Sequence, residues 1–537
     1  MTSLNPILLI IVLLASTLSM SAILGLYLAR MISYELQPLE KPLAKLERRL
    51  NKLLGLGEGH EMTWKEYFAA LVLTNLIAGG FVFAVLVLQN SILFSKDGLS
   101  LDLAFNVASS FITSTDIQHY AGEKLSPFSQ MLAITYSMFV APASGICAAF
   151  AFIRGFIRKN FGLGNFYIDF ARIVLTLLLP IAFISAILLM ALGVPQTLDP
   201  FITAKTLEGN TQIIATGPVA SLESIKYLGS NGGGFFGANS AHPFENPNGL
   251  TNLYSMFLIL IIPLAFPIAY GRLLGRGRGI SILIAMLLGF GALLALALST
   301  ENGYVGLETR FGSFGSVIFN TISITTNTGA LNAGLPAMSP NAIISFLLSM
   351  FIQAMPGADG TGIMTMVVYI ILTLFLVGLM VGKTPEFMSM KISPKDIKLA
   401  VMIFLLHPAL VLIPTVIGFT TGSVQALLGD KITPLSFTMV LYEYASAAAN
   451  NGSGYLGTSA NTAFWNISTA IVMLLGRYGP IGLMLAIAGS FTTKERKAIV
   501  EPIRTQGALF IILLLVVTFL LTALTFFPFL AIGPWSL

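Results

Sequence analysis

Charge is what this sequence has least of. Asp, Glu, Lys and Arg make up 10% of its 537 residues, against roughly 25% in an ordinary soluble domain, which excludes that class. Cysteine occurs once, at Cys147 inside an apolar run, so no internal disulfide is available. The acids are dispersed, with no carboxylate cage of the kind calcium or magnesium requires. His60, His119, His242 and His407 are scattered without metal-ligand spacing and read as structural groups. A phosphate loop is missing as well. Gly378-Leu379-Met380-Val381-Gly382-Lys383-Thr384 has three residues between its glycines where the motif needs four, and Pro385 follows it. The run Gly275-Arg276-Gly277-Arg278-Gly279 has no βαβ unit around it. No enzymatic site is expected in this chain. Its net charge of +5 comes from short basic clusters between apolar runs, a pattern of membrane orientation, with no nucleic-acid motif beside them.

What fills the chain instead is long apolar runs: 55% of residues are hydrophobic and the mean hydropathy is +0.84. Crossing a ~30 Å hydrocarbon core takes roughly 20 apolar residues. By that measure ten spans are expected, near 5–29, 67–93, 128–153, 166–193, 250–273, 278–299, 341–382, 396–420, 464–491 and 507–533. The first has its basic flank after it, at Arg30, Lys41, Lys45, Arg48, Arg49 and Lys52, so it reads as a retained helix with its N-terminus outside. Glu35–Lys65 then reads as a cytoplasmic amphipathic piece. Arg154, Arg158 and Lys159 follow span three, and Arg272, Arg276 and Arg278 follow span five. Lys383, Lys391, Lys395 and Lys398 follow span seven; Lys494, Arg496, Lys497 and Arg504 follow span nine. All fall on one side if both termini are outside.

The opposite loops share a different design. Each carries a short semi-apolar stretch that runs into small polar residues. Leu103–Phe111 leads into Thr113-Ser114-Thr115-Asp116, and Val219–Leu228 into Ser230-Asn231-Gly232. Phe314–Ile324 leads into Asn327-Thr328-Gly329, and Phe437–Ala449 into Asn450-Asn451-Gly452. Taken singly, each break could be a turn, since Asn-Gly is common in turns. Together they form a unit of span, half-helix, break and span that occurs four times, about a hundred residues apart. The expected fold is therefore an all-α polytopic membrane protein with four pore-loop repeats in pseudo-fourfold arrangement, plus two flanking helices. The boundaries fall at 1–66 for the N-terminal flank, 67–159, 160–276, 277–394 and 395–500 for the repeats, and 501–537 for the C-terminal flank. Irregular backbone survives at membrane depth only when buried in protein or lining a cavity. Short helices aim their negative dipole ends at the axis. Carbonyl and side-chain oxygens beyond them suit a dehydrated potassium ion.

Other segments resemble one family closely. Gly217-Pro218-Val219-Ala220-Ser221, Asn231-Gly232-Gly233-Gly234-Phe235-Phe236, Asn239 through Pro247, Gly382-Lys383-Thr384-Pro385-Glu386 and Ala448-Ala449-Asn450-Asn451-Gly452-Ser453 look like the potassium-binding A subunit of the Kdp potassium-transporting ATPase. That subunit belongs to a wider superfamily of four-repeat potassium transporters. The resemblance covers essentially the whole chain. It implies a subunit of an ATP-driven potassium importer in a prokaryotic plasma membrane. A separate P-type ATPase subunit would hydrolyse ATP, and small accessory subunits would complete the complex. Potassium would be the substrate, with no covalently bound cofactor. The resemblance also implies a filter of Thr113, Ser114, Thr115, Ser230, Asn231, Gly232, Asn327, Thr328, Gly329, Asn450, Asn451 and Gly452, and a tunnel leading sideways to the partner. A stand-alone potassium channel or symporter of the superfamily would share the pore architecture.

Two places depart from the family pattern. The third filter segment has Asn327-Thr328 where Ser-Cys is frequent, and the interruption of span seven lacks a common glutamate, with Asp359 the nearest acid. That interruption, with Pro356, Gly357, Asp359 and Gly360, predicts a broken helix under the filter that blocks a straight exit. Arg477, in the middle of span nine, is expensive at that depth and is expected to act as a barrier or as a helix anchor.

Overall fold

A computed structural model describes residues 6–35, 52, 60–91, 97–157, 162–300, 307–496 and 503–532. Ten of its helices are long and apolar enough to cross a membrane. The chain opens with α1 (Pro6–Ile32). The first repeat is α2 (Trp64–Val87), the short α3 (Leu101–Ile112) and α4 (Pro127–Ile157). The second is α5 (Phe166–Ala191), α6 (Val219–Leu228) and α7 (Gly249–Leu274). The third is α8 (Arg276–Ala297), α9 (Gly312–Thr325), α10 (Pro340–Ile352) and α11 (Thr361–Val381). The fourth is α12 (Pro394–Thr420), a single turn α13 (Ser423–Leu428), α14 (Pro434–Ala449) and α15 (Ala463–Thr492). The last helix is α16 (Ala508–Ile532). An exposed hairpin of β1 (Phe201–Lys205) and β2 (Thr211–Ala215) rises between α5 and α6.

Local chemistry sets the ends. Thr63 caps α2 in a reciprocal box with Glu66, which starts that helix three residues before the expected boundary. The same helix stops at Val87, before Gln89-Asn90-Ser91, earlier than the expected 93. Ser393 with Asp396 and Thr433 with Ser436 form equivalent boxes, each followed by proline at the first helical position. Span seven is two helices. Thirteen residues of α10 rise only about 20 Å, too little to cross, and the chain between Ile352 and Thr361 is irregular. Much of Glu35–Lys65 lies outside the described residues, as do Lys41, Lys45, Arg48, Arg49, Arg158, Lys159 and Lys497.

Small residues bring the spans together. A Cβ at Gly25 of α1 would lie 2.7 Å from the Ile268 Cβ of α7, and one at Gly155 of α4 would lie 2.7 Å from the Ala488 Cβ of α15. Close backbone approach of this kind substitutes for a hydrophobic drive that lipid cannot supply. Helices α4, α7 and α11 are the most enclosed spans. The repeats close into a ring. The second long element of each touches the half-helix of the next: α4 with α6, α7 with α9, α10 with α14, and α15 with α3. Asn106 of α3 seals the last seam, donating to the Asn466 carbonyl at 2.9 Å and the Thr469 hydroxyl at 2.8 Å, both on α15.

Candidate ion site at the centre of the ring

All four half-helices end in the same way. The amides of Thr115, Asn231, Thr328 and Asn451 bond back to the carbonyls of Ser110, Lys226, Ser323 and Ser446 at 2.7–3.0 Å. The residue before each, Ser114, Ser230, Asn327 or Asn450, has a left-handed backbone with φ of 48–54°. This is the Schellman closure of a helix C-terminus, and it turns the chain sharply back toward the side it came from. Four identical closures fix the register between repeats. Residues 115, 231, 328 and 451 are equivalent, and so are Asp116, Gly232, Gly329 and Gly452. Matching hydroxyl pairs support it: Thr113 meets Thr115 at 2.7 Å, and Thr326 meets Thr328 at 2.9 Å. Thr113 therefore stands at the helix cap with Gly229, Thr326 and Ala449, one step before the positions expected for the first segment.

The turned segments pack edge to edge. A Cβ at Gly232 would lie 2.5 Å from the Thr328 carbonyl oxygen of the next repeat and 3.6 Å from that of Asn451. A Cβ at Gly329 would collide with the Asn451 carbonyl, and one at Gly452 with the Thr115 carbonyl. Each glycine thus admits the backbone oxygen of the following repeat, which only a residue without a side chain allows.

The asparagines of the four segments also hold the ring together. Their amide groups are braces in the wall. Asn327 donates to the Ala449 carbonyl at 3.1 Å, Asn450 to the Thr115 hydroxyl at 2.9 Å, and Asn451 to the Ile324 carbonyl at 3.0 Å. Asn231 donates to the Met138 carbonyl of α4 at 3.0 Å. Around the same point several buried oxygens have no hydrogen-bond partner among the described residues: the hydroxyls of Ser114 and Ser323, the amide oxygens of Asn231 and Asn327, and one oxygen of Asp116. A buried acceptor left unpaired costs about 1–3 kcal/mol. A concentration of them at one spot is chemistry suited to a cation.

Just beyond the half-helix ends, the break of span seven meets its own repeat's half-helix and the first repeat. The Gly357 amide donates to the Thr325 carbonyl at the end of α9, at 3.0 Å. A Cβ at Gly360 would sit 2.6 Å from the Gly145 carbonyl of α4. Gly145 is also where Arg477 arrives. A Cβ there would be 2.8 Å from the Arg477 guanidinium and 3.1 Å from the Asp359 carbonyl. Arg477 donates to the Ala141 carbonyl at 3.0 Å. Asn450 reaches the Met473 carbonyl, so Arg477 lies four residues, about 6 Å, further along α15. Asp359 is buried, and neither carboxylate oxygen has a well-formed hydrogen bond among the described residues; the Ser230 hydroxyl lies beside it. The structure thus brings Gly357, Asp359, Gly360 and Arg477 to one place under the ring, while Pro356 lies in the same turn.

On the other side of the ring the loops are tied down by buried polar groups. Gln118 clamps Gly234, accepting from its amide at 2.8 Å and donating to its carbonyl at 2.9 Å. Lys226 lies 2.8 Å from Glu223 and 3.5 Å from Glu245, all three fully buried. Glu245 also accepts from the Phe236 amide at 2.8 Å. Burial first, and then the charge of Glu223, push the Glu245 carboxyl up to about 8. His119 meets Asn466 at 2.8 Å and approaches Glu443 at 3.8 Å. Asp116, Gln118 and Glu245 escaped the sequence reading as site residues. Aligning the breaks on a common marker would have found Asp116.

The profile of the potassium-transporting ATPase A subunit matches residues 10–536. This chain belongs to that family. A solved structure with the same fold is that of the potassium transporter TrkH from Vibrio parahaemolyticus. It covers 88% of this chain and 99% of its own, with a TM-score of 0.56 at 17% identity. The chain is thus a multi-pass membrane protein of a potassium-transporting family.

Proposed function

We propose that this A-subunit-family chain is the potassium-capturing subunit of an ATP-driven import complex. Potassium enters from the side bearing the half-helices and loses its water in the ring formed by 114–116, 230–232, 327–329 and 450–452. It then leaves sideways toward an ATP-hydrolysing P-type partner, with small accessory subunits completing the assembly. The membrane would be a prokaryotic plasma membrane, with both termini outside.

The observation that carries the reading is the ring itself, four matching helix endings, three of them followed by a glycine that receives the next repeat's carbonyl. Carbonyl oxygens can replace a hydration shell, and the half-helix C-termini add their negative dipole ends. The sideways exit is supported by what lies beneath. The 353–360 segment is pinned to α9, and the Arg477 charge stands one helical turn beyond the ring, so a cation moving straight on meets bulk and like charge. A stand-alone channel or symporter would share the ring and would use the same obstruction as a gate, so the family match over residues 10–536 is what favours the pump subunit. Purification of the tagged chain from its own cells discriminates between the two. A pump subunit emerges with an ATPase in fixed ratio whose hydrolysis rises with potassium; a chain that purifies alone and conducts potassium in liposomes sinks the pump reading.

A further inference from the structure

The four corners of the ring are chemically unequal. At three of them a glycine (Gly232, Gly329, Gly452) receives a neighbouring carbonyl where its side chain would be. The fourth, in the same register, is Asp116. It carries a side chain at φ +59°, a left-handed conformation that Gly329 and Gly452 also adopt and that Asp tolerates better than most residues. The Asp116 carboxylate crosses the seam between the first two repeats. One oxygen accepts from the Gly232 amide at 2.8 Å, while the other has no hydrogen-bond partner among the described residues. The residue is 1% exposed. Of the cations in reach, Lys226 is held by Glu223 and Glu245, and Arg477 is bound to the Ala141 carbonyl.

We propose that Asp116 is a specificity-determining residue of the ion site: its carboxyl group, built into the wall at the seam of repeats one and two, supplies a negative charge to the bound cation and so tightens binding beyond what carbonyls alone provide. The inference rests on the ring being the potassium site. A carbonyl offers a partial charge, whereas a carboxylate offers a full one in a poorly screened place. Its stronger field rewards the closer approach of a smaller cation, so it favours sodium more than a carbonyl ring does. Asp116 therefore raises affinity at some cost in discrimination.

Asp116→Asn is close to isosteric. Its amide oxygen still accepts from Gly232, and only the charge goes. Asp116→Gly removes both charge and hydrogen bond and restores the fourfold pattern. The readout is protection of the purified full-length protein against heat by potassium, titrated with and without competing sodium, which needs no partner subunit. The expected result is that Asp116→Asn keeps its ion-free melting temperature, needs at least about tenfold more potassium, and is less disturbed by sodium. If it titrates as the wild type does while Asp116→Gly is impaired, Asp116 only holds Gly232 and the proposal is wrong. If the wild type itself gains nothing from potassium, the ring is not the ion site and the proposal falls with that reading. Should Asp116→Asn fail to fold, Asp116→Ser, a short acceptor without charge, is titrated against the same criteria.

Discussion

At the scale of single residues, the ring tolerates least where carbonyl meets glycine. Gly232→Ala would place a methyl group 2.5 Å from the Thr328 carbonyl oxygen. Backbone against backbone cannot relax as a flexible side chain would. The half-saturating potassium concentration should rise by about tenfold or more, equivalent to at least about 1.4 kcal/mol, and rubidium and sodium should compete better. An unchanged competition profile in a potassium-stimulated ATPase assay would refute this. Arg477 presents a different case. Keeping its charge buried costs at least ~2.5–3.5 kcal/mol on insertion scales, yet it has a hydrogen bond to one carbonyl, that of Ala141. Arg477→Gln can retain that bond while losing the charge. A barrier role leads to intact assembly with a passive potassium leak in proteoliposomes, and an anchor role to lost assembly without a leak. Where the four breaks fall was legible from composition, because Gly, Asn, Ser and Thr after an apolar stretch announce a break. The asparagine braces were not. Asn450 and Thr115 are 335 positions apart, and no local periodicity connects them.

At the scale of elements, the spans followed from hydropathy, and the breaks from the clash of glycine and proline with helix. What the sequence concealed was the packing of loops onto half-helices. The segment after α6 is held by Glu245 through Lys226 and the Phe236 amide. Because Glu245 titrates near 8 in the folded protein and near 4.3 when unfolded, the folded state keeps a proton that the unfolded state releases between those values. Stability attributable to this group therefore falls as pH rises through that window and levels off above it. Glu245→Gln, still an acceptor for Phe236, should flatten the dependence. Melting temperatures for both proteins between about pH 5 and 9 check this; parallel curves would exclude Glu245 as the source.

At the scale of the whole molecule, stability depends on closing the ring. The first and fourth repeats meet through Asn106, whose two donors reach α15, and through the Asn450 amide on the Thr115 hydroxyl. Asn106→Ala leaves the Asn466 carbonyl and the Thr469 hydroxyl without their buried donor, a loss of about 1–3 kcal/mol. Thermal unfolding should move down accordingly, with the ion preference of the surviving folded protein unchanged. A shift in selectivity without a loss of stability would place Asn106 in the ion path instead. Repetition and its pseudo-fourfold closure were readable from the chain, whereas the contacts that seal the ring were not, since they join its first and fourth repeats.

The order of synthesis gives that closure a second meaning. The ribosome releases the first repeat long before the fourth, so the wall at Thr115 waits for Asn450 and Gly452 to be made and inserted. Contacts so distant in sequence form slowly and late. An incomplete chain consequently has half-helices but no completed ring through which ions could be chosen. The order of translation itself thus leaves an unfinished chain without a pore.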